Sequence, residues 1–134
     1  MDTRSFHGCK LALLQGNCVL VYERDEHVKF AGMWDLPGGG REGQESPEDC
    51  VLRELEEEFG LAFPANRLEY RKRYAAAHTD SYAYFFVGRL SASEVASIRF
   101  GNEGKRWRLM EIDEYLDHPE ALPNHKAWLK EYRG

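Results

Sequence analysis

The segment SPEDCVLRELEEEFG, Ser46 to Gly60, carries its own start and stop signals, and between them it gathers like charge that a helix does not favour. Ser46 is placed as an N-cap, Pro47 at the first helical position and Asp49 at the capping-box position, while Gly60 supplies the stop. Val51, Leu52, Leu55 and Phe59 recur at helical spacing, which predicts an amphipathic helix of about four turns lying on a core. Glu54, Glu57 and Glu58 stand at i, i+3 and i+4, so their carboxylates share a face away from that stripe, and Glu56 points elsewhere. Each like-charge neighbour at this spacing costs a helix a few tenths of a kcal/mol. Local stability therefore did not choose these residues. A hard divalent cation such as Mg²⁺ or Mn²⁺ turns the repulsion into attraction. Arg53, four residues before Glu57, is placed to hold a carboxylate in position. For an isolated Glu-rich helix the default reading is a solvated acidic face, so the surroundings must decide.

Upstream, the apolar runs Cys9 to Leu14 and Cys18 to Tyr22 flank Gln15-Gly16-Asn17, a hairpin signal. MWDLPGGG, Met33 to Gly40, reads as a short extended piece ending in a loop whose backbone can pass close to another group. Downstream, RLEYRKRYAAAH and YAYFFVGRL read as two strands joined near Thr79-Asp80-Ser81, and KRWRLMEI as a third. A short helix is expected near Asp113 to Leu116, a break at Pro119 and Pro123, and a last helix around Lys126 to Tyr132. Strands mixed with two or three helices predict an α/β sandwich, the long helix packed on a mixed sheet. The 134 residues suit one domain, 1–134, with a core of its own.

Lys and Arg number 18 against 23 Asp and Glu, for a net charge of −5, so no basic field is available for long DNA or RNA. A small polyphosphate held through metal ions remains a fitting partner. Cys9, Cys18 and Cys50 are an odd number in a chain of ordinary size, which suits reduced thiols acting as small buried hydrophobes. No apolar run approaches a membrane span and MDTRSFHGCK lacks a secretory apolar region, so a cytoplasmic protein with no membrane partner is expected.

Gly39, five residues, Glu45, seven residues, then Arg53-Glu54-Leu55-Glu56-Glu57-Glu58-Phe59-Gly60-Leu61 matches the Nudix box at every specified position. Seven fixed residues at average usage give a chance match on the order of 10⁻⁹ per window. The chain thus resembles the Nudix hydrolases, particularly their MutT-type members, with the box at residues 39–61 and the flanking elements in the family's order. That resemblance implies a Nudix-type α/β/α sandwich and hydrolysis of a nucleoside diphosphate linked to another group, with Mg²⁺ or Mn²⁺ as cofactor. It makes Glu54, Glu57 and Glu58 metal ligands, with the Gly39 or Gly40 carbonyl as an additional one. Glu45 takes a helix-orienting role and Arg53 a supporting one.

A carboxylate must accept the proton of the attacking water. Glu54 serves from within the box, and Glu103, in the polar loop before the strand bearing Trp107, is the outside candidate; its alternative is an ordinary surface glutamate. Arg24, at the end of the second hairpin strand, stands where MutT-type enzymes place a substrate-contacting arginine, against the alternative of an exposed salt bridge. Asn124 resembles a base-reading asparagine of that subgroup, against the alternative of a helix N-cap. Trp34 and Tyr82 could stack on a base, with core packing the default. His78, His118 and His125 show no ligand-like spacing and read as structural or surface residues.

Marks of other subgroups are missing: Ala76 stands where the ADP-ribose group has a proline, and Tyr74 and Tyr82 bracket the tyrosine of dinucleoside-polyphosphate hydrolases without matching it. The leading expectation is a nucleoside triphosphate cleaved to monophosphate and pyrophosphate by a monomer or homodimer. The rivals are ADP-ribose, a nucleotide sugar or a dinucleoside polyphosphate. A nucleotide-sensing domain without catalysis is the rival from another class, and the intact box argues against it.

Overall fold

The structure, a computed structural model, describes residues 5–76 and 80–134. His78 and Thr79, named above, lie outside the described residues. Strand β1 (Phe6–Gln15) is the centre of the sheet. Its alternation sends Leu11 and Leu13 to one face and Ala12 and Leu14 to the other, all fully or almost fully buried. A strand buried on both faces must be covered on both. One cover is α1 (Pro47–Phe59), over Leu11, Leu13, Leu20, Tyr84 and Phe86. The other is formed by α3 (Ile112–Asp117) and α4 (Pro123–Arg133), whose Tyr115 and Leu129 pack with Val19, Val21, Phe85 and Met110. The expected α/β/α sandwich is what forms.

The sheet is mixed. β1 runs parallel to β6 (Tyr82–Arg89), which pairs antiparallel with β5 (Leu68–Ala75). On its other edge β1 parts company with its hairpin partner. β2 (Cys18–Glu23) bonds β1 only at Leu14↔Val19 and Gln15↔Cys18, around the Gly16-Asn17 turn in which Gly16 takes φ +59°. Further along, β2 pairs with β7 (Arg106–Glu111) on one side and with β3 (Trp34–Asp35) on the other. The chain then crosses the gap between β1 and β2, and β4 (Gly38–Gly40) pairs with Gly8, Cys9 and Lys10 of β1.

Residues 38–40 are therefore a strand rather than the expected loop. The close approach expected of this backbone does occur: an added Cβ on Gly38, whose φ is +140°, would lie 2.1 Å from the Cys9 carbonyl oxygen. Such proximity admits only glycine.

The caps of α1 form as expected, with the Ser46 hydroxyl accepting from the Asp49 N–H at 3.1 Å and Gly60 closing the helix at φ +67°. Leu52, placed on the buried stripe, is only half-buried, and Glu58, placed on the face away from that stripe, is nevertheless buried. Cys9 and Cys50 are buried, but Cys18 at the hairpin mouth is partly exposed. Helix α4 starts at Pro123, earlier than expected, with Leu122 as its N-cap, so Asn124 lies inside the first turn and is not the cap. Helix α2 (Ala92–Ala96) was not anticipated, although Ser91 and Glu94 form a reciprocal capping box that the sequence displays. Among the described residues no helix is long and apolar enough to cross a membrane.

Candidate active site

Arg53 organises the acidic face of α1. Its Nε donates to Glu45 Oε2 at 2.6 Å and its Nη2 to Glu45 Oε1 at 3.1 Å, a two-point grip that fixes the loop before the helix. Nη2 also donates to the Gly40 carbonyl at 2.9 Å, while Nη1 reaches Glu54 Oε1 at 2.9 Å and both oxygens of Glu57 at 3.2 Å. One guanidinium thus ties β4, the Glu45 loop and two box glutamates together. The Glu45 carboxyl is held below its ordinary range chiefly by this arginine.

The three glutamates sit in different surroundings. Glu57 is exposed, Glu54 is half-buried, and Glu58 is 4% exposed with Oε1 accepting the Gly38 N–H at 2.9 Å. Helical spacing alone puts Glu58 with its neighbours; β4 laid across the helix is what covers it. Desolvation raises the pKa of Glu58 to about 8 and that of Glu54 to about 7. Glu54 also occupies the space that a side chain at position 39 would need, since an added Cβ there would fall 1.5 Å from its Oε2. The Gly39 carbonyl lies 3.8 Å from Cys50 Sγ, which donates to it.

Carboxylates and a carbonyl make an all-oxygen donor set, the chemistry that Mg²⁺ and Mn²⁺ prefer. Glu57 points to Arg53 and Glu58 to Gly38, however, and among the described residues no three His, Cys, Asp or Glu side chains converge on one point.

Lys10 and Asp35, neither singled out from the sequence, join Arg24 and His125 in a second polar centre. Asp35 is fully buried in the splay between β1 and β2. Its Oδ2 receives Lys10 Nζ at 3.0 Å and Arg24 Nη1 at 2.8 Å, its Oδ1 receives the Leu36 N–H at 2.7 Å, and His125 Nδ1 stands 3.1 Å from Oδ1. Burial pushes the Asp35 carboxyl up, but Lys10 and His125 more than offset it and hold the group well below the usual range. Burial lowers the pKa of His125, which favours its neutral form. A charged residue inside the apolar run MWDLP and a lysine inside CKLALL were the available signals, because a charge in such a run needs a buried partner.

Arg24 accordingly is not an exposed salt-bridging residue: it pairs with a buried carboxylate, and its Nε donates to the Lys29 carbonyl at 2.7 Å. His125, read as structural or surface, belongs to this centre. His118 stays at the surface, accepting the Glu120 N–H at 3.0 Å.

A cleft of about 770 Å³ opens beside both centres, lined by Lys10, Gly39, Gly40, Asn124, His125 and Trp128 among others. Asn124 is thus brought to the same cavity as the box glycines. Glu103 is not: it is exposed and lines a smaller pocket of about 310 Å³ with Arg24, Asp25 and His27. Its loop nevertheless docks on the end of α1, where the Gly101 N–H donates to the Glu58 carbonyl at 2.9 Å. Trp34 is a core residue, 5% exposed, and Tyr82 is half-buried with the Arg73 guanidinium 4.0 Å from its ring centroid.

A family model described as NUDIX domain matches residues 8–132. The chain is 48% identical over 105 residues to a putative 8-oxo-dGTP diphosphatase 3 of Mycobacterium tuberculosis, a match covering 75% of this chain and 48% of that protein. It is 32% identical over 132 residues to an RNA pyrophosphohydrolase of Zymomonas mobilis, covering 96% of this chain and 78% of that one. The chain spans about half the length of the first curated relatives it matches. Among solved structures, a MutT protein from Methanosarcina mazei Go1 superposes with a TM-score of 0.75 at 18% identity, covering 99% of this chain and 96% of that chain, a likeness of fold.

Proposed function

The chain belongs to the NUDIX family, and from that premise we propose that it is a divalent-metal-dependent pyrophosphohydrolase that cleaves a nucleoside triphosphate to the monophosphate and pyrophosphate. The observation that carries the reading is the Arg53 network, which ties Glu45, Glu54 and Glu57 to the carbonyl of Gly40, a residue that lines an open cleft. A structural helix face has no need of a buried Glu58 or of a glycine strand folded over Glu54.

Glu54, Glu57, Glu58 and the Gly39 carbonyl are the residues that would hold Mg²⁺ or Mn²⁺, once Glu57 and Glu54 turn from Arg53 towards the cleft. A cation held by these residues would supply charge to neutralise phosphate oxygens and would lower the pKa of a water attacking phosphorus. Arg53, still gripping Glu45 and the Gly40 carbonyl, keeps the preceding loop and β4 in register with the helix. Glu54 is the group we assign to take the water's proton, because it borders the cleft glycines. Glu103 is the alternative, reaching over from its loop. Asn124 is assigned to the base end of the cleft, and Arg24 to the support of its wall.

The test panel takes 8-oxo-dGTP, RNA, ADP-ribose and Ap4A from the relatives' names and adds ordinary nucleoside triphosphates and nucleotide sugars, each with Mg²⁺ and with Mn²⁺. Pyrophosphate release from one preferred triphosphate is expected, and Glu57→Gln should lower kcat/KM by on the order of 10²-fold or more. A folded chain that binds nucleotide but releases neither phosphate nor pyrophosphate from any of these would be a sensing domain instead.

A further inference from the structure

Phe30 combines two unfavourable features. Its ring is 51% exposed, and its backbone stands at φ +60°, the one positive value for a non-glycine residue among the described residues. An L side chain at that angle crowds its own backbone, and a phenylalanine left in water forgoes the gain of burial. Such a residue persists only where its surroundings over-determine it.

They do so here. The Arg24 N–H donates to the Met33 carbonyl at 2.9 Å, the Gly32 N–H to the Arg24 carbonyl at 3.0 Å, and the Met33 N–H to the Phe30 carbonyl at 3.2 Å. The Arg24 side chain, anchored on buried Asp35, grips the Lys29 carbonyl from beneath. The loop is built to carry its tip in one place, and that place is the cleft, which Lys29 and Phe30 line together with Gly39, Gly40, Asn124 and Trp128.

The other aromatics of the cleft are already engaged. Tyr74 and Trp128 stack on each other, with centroids 4.6 Å apart and planes 13° apart. Over Phe30 lies the ammonium of its neighbour Lys29, 5.1 Å from the centroid, on a flexible stem that can swing aside. An exposed ring with a displaceable cover, in a cleft that polar Asn124 also lines, is a surface for a planar heteroaromatic group.

We propose that Phe30 is the stacking platform for the nucleobase of the substrate, presented over the cleft by the Arg24–Asp35 anchor. The inference rests on the nucleotide reading above and deepens it: a polyphosphate without a base gains nothing from this residue, and a base of any identity gains from its face.

The test is equilibrium binding of an α,β-methylene nucleoside triphosphate and of inorganic tripolyphosphate, each with Mg²⁺, to the full chain and to Phe30 variants. Phe30→Ala should weaken the nucleotide analogue roughly 5- to 100-fold while tripolyphosphate stays within about 2-fold, and Phe30→Trp should restore the difference. Phe30→Gly should lose the same affinity yet melt no lower than the parent, because glycine accepts the positive φ; this separates a binding role from a structural one. Equal weakening of both ligands, or unchanged nucleotide affinity in Phe30→Ala, overturns the proposal. Hydrolysis by the parent chain is followed alongside: a parent that binds the analogue without turning over any triphosphate defeats the enzyme reading, while the binding comparison still decides Phe30.

Discussion

At the level of single residues, the site depends on two ionic hubs that differ in kind. Arg53 is partly exposed and serves several acceptors, so its planar fork matters more than its charge. If its partners are the metal ligands proposed above, Arg53→Ala should lower kcat/KM by roughly 10- to 100-fold, and Arg53→Lys should recover little of it. Steady-state kinetics on both variants checks this; full activity in Arg53→Lys would reduce the fork to a point charge. Asp35 is buried, and neutralising it strands Lys10 and Arg24 beside a carboxamide. Asp35→Asn should cost about 3–5 kcal/mol of stability, read by denaturant titration. A loss below about 1 kcal/mol would mean that the cations reach water without it.

At the level of elements, β4 is where neighbouring glycines do different jobs. A methyl on Gly38 meets the Cys9 main chain at 2.1 Å, and main chain cannot yield without breaking the pairing with β1. A methyl on Gly39 meets the tip of Glu54, which can yield. Gly38→Ala should therefore unfold the chain or lower its Tm sharply, whereas Gly39→Ala should keep most of the Tm and lose most of the activity. Calorimetry beside an activity assay separates them, and equal Tm losses would refute the distinction. The same strand shows how far the sequence could be read. Helix α1 was legible because Ser46, Pro47 and Gly60 are local signals acting within a turn of where they stand. Three glycines have no side-chain pattern, and their partner in β1 lies some thirty residues away, so β4 read as loop. Burial of Glu58 followed β4 out of view. Asp35 was legible only as a charge in an apolar run: its partners Lys10, Arg24 and His125 are brought to one point by the splayed sheet and α4 alone. The box itself was legible because its spacing is fixed within a single stretch of chain.

At the level of the whole molecule, the sandwich draws two acidic groups into a place where ionisation is unfavourable, and they contribute their own part to how stability depends on pH. Glu54 and Glu58 carry pKa values of about 7 and about 8 against an ordinary value of 4.5, with burial the leading cause. A carboxyl raised on folding binds its proton more tightly in the folded chain than in the unfolded one. Its contribution is complete below the unfolded value and is lost as pH rises through the folded values. Without divalent metal, these two residues should thus make the chain progressively less stable between about pH 5 and pH 8. A cation that requires the ionised carboxylates acts in the opposite sense: at low pH it must displace their protons, and at high pH it meets charges already formed. The rise in Tm caused by saturating Mn²⁺ should therefore be small near pH 5 and grow towards pH 8, with proton release on binding detectable near neutrality from buffer-dependent calorimetric heats. Glu58→Gln should flatten that growth. If the Mn²⁺-induced shift were the same at both ends of the range, the buried glutamates would not be the ligands, because no ligand with a raised pKa can bind a cation without giving up its proton.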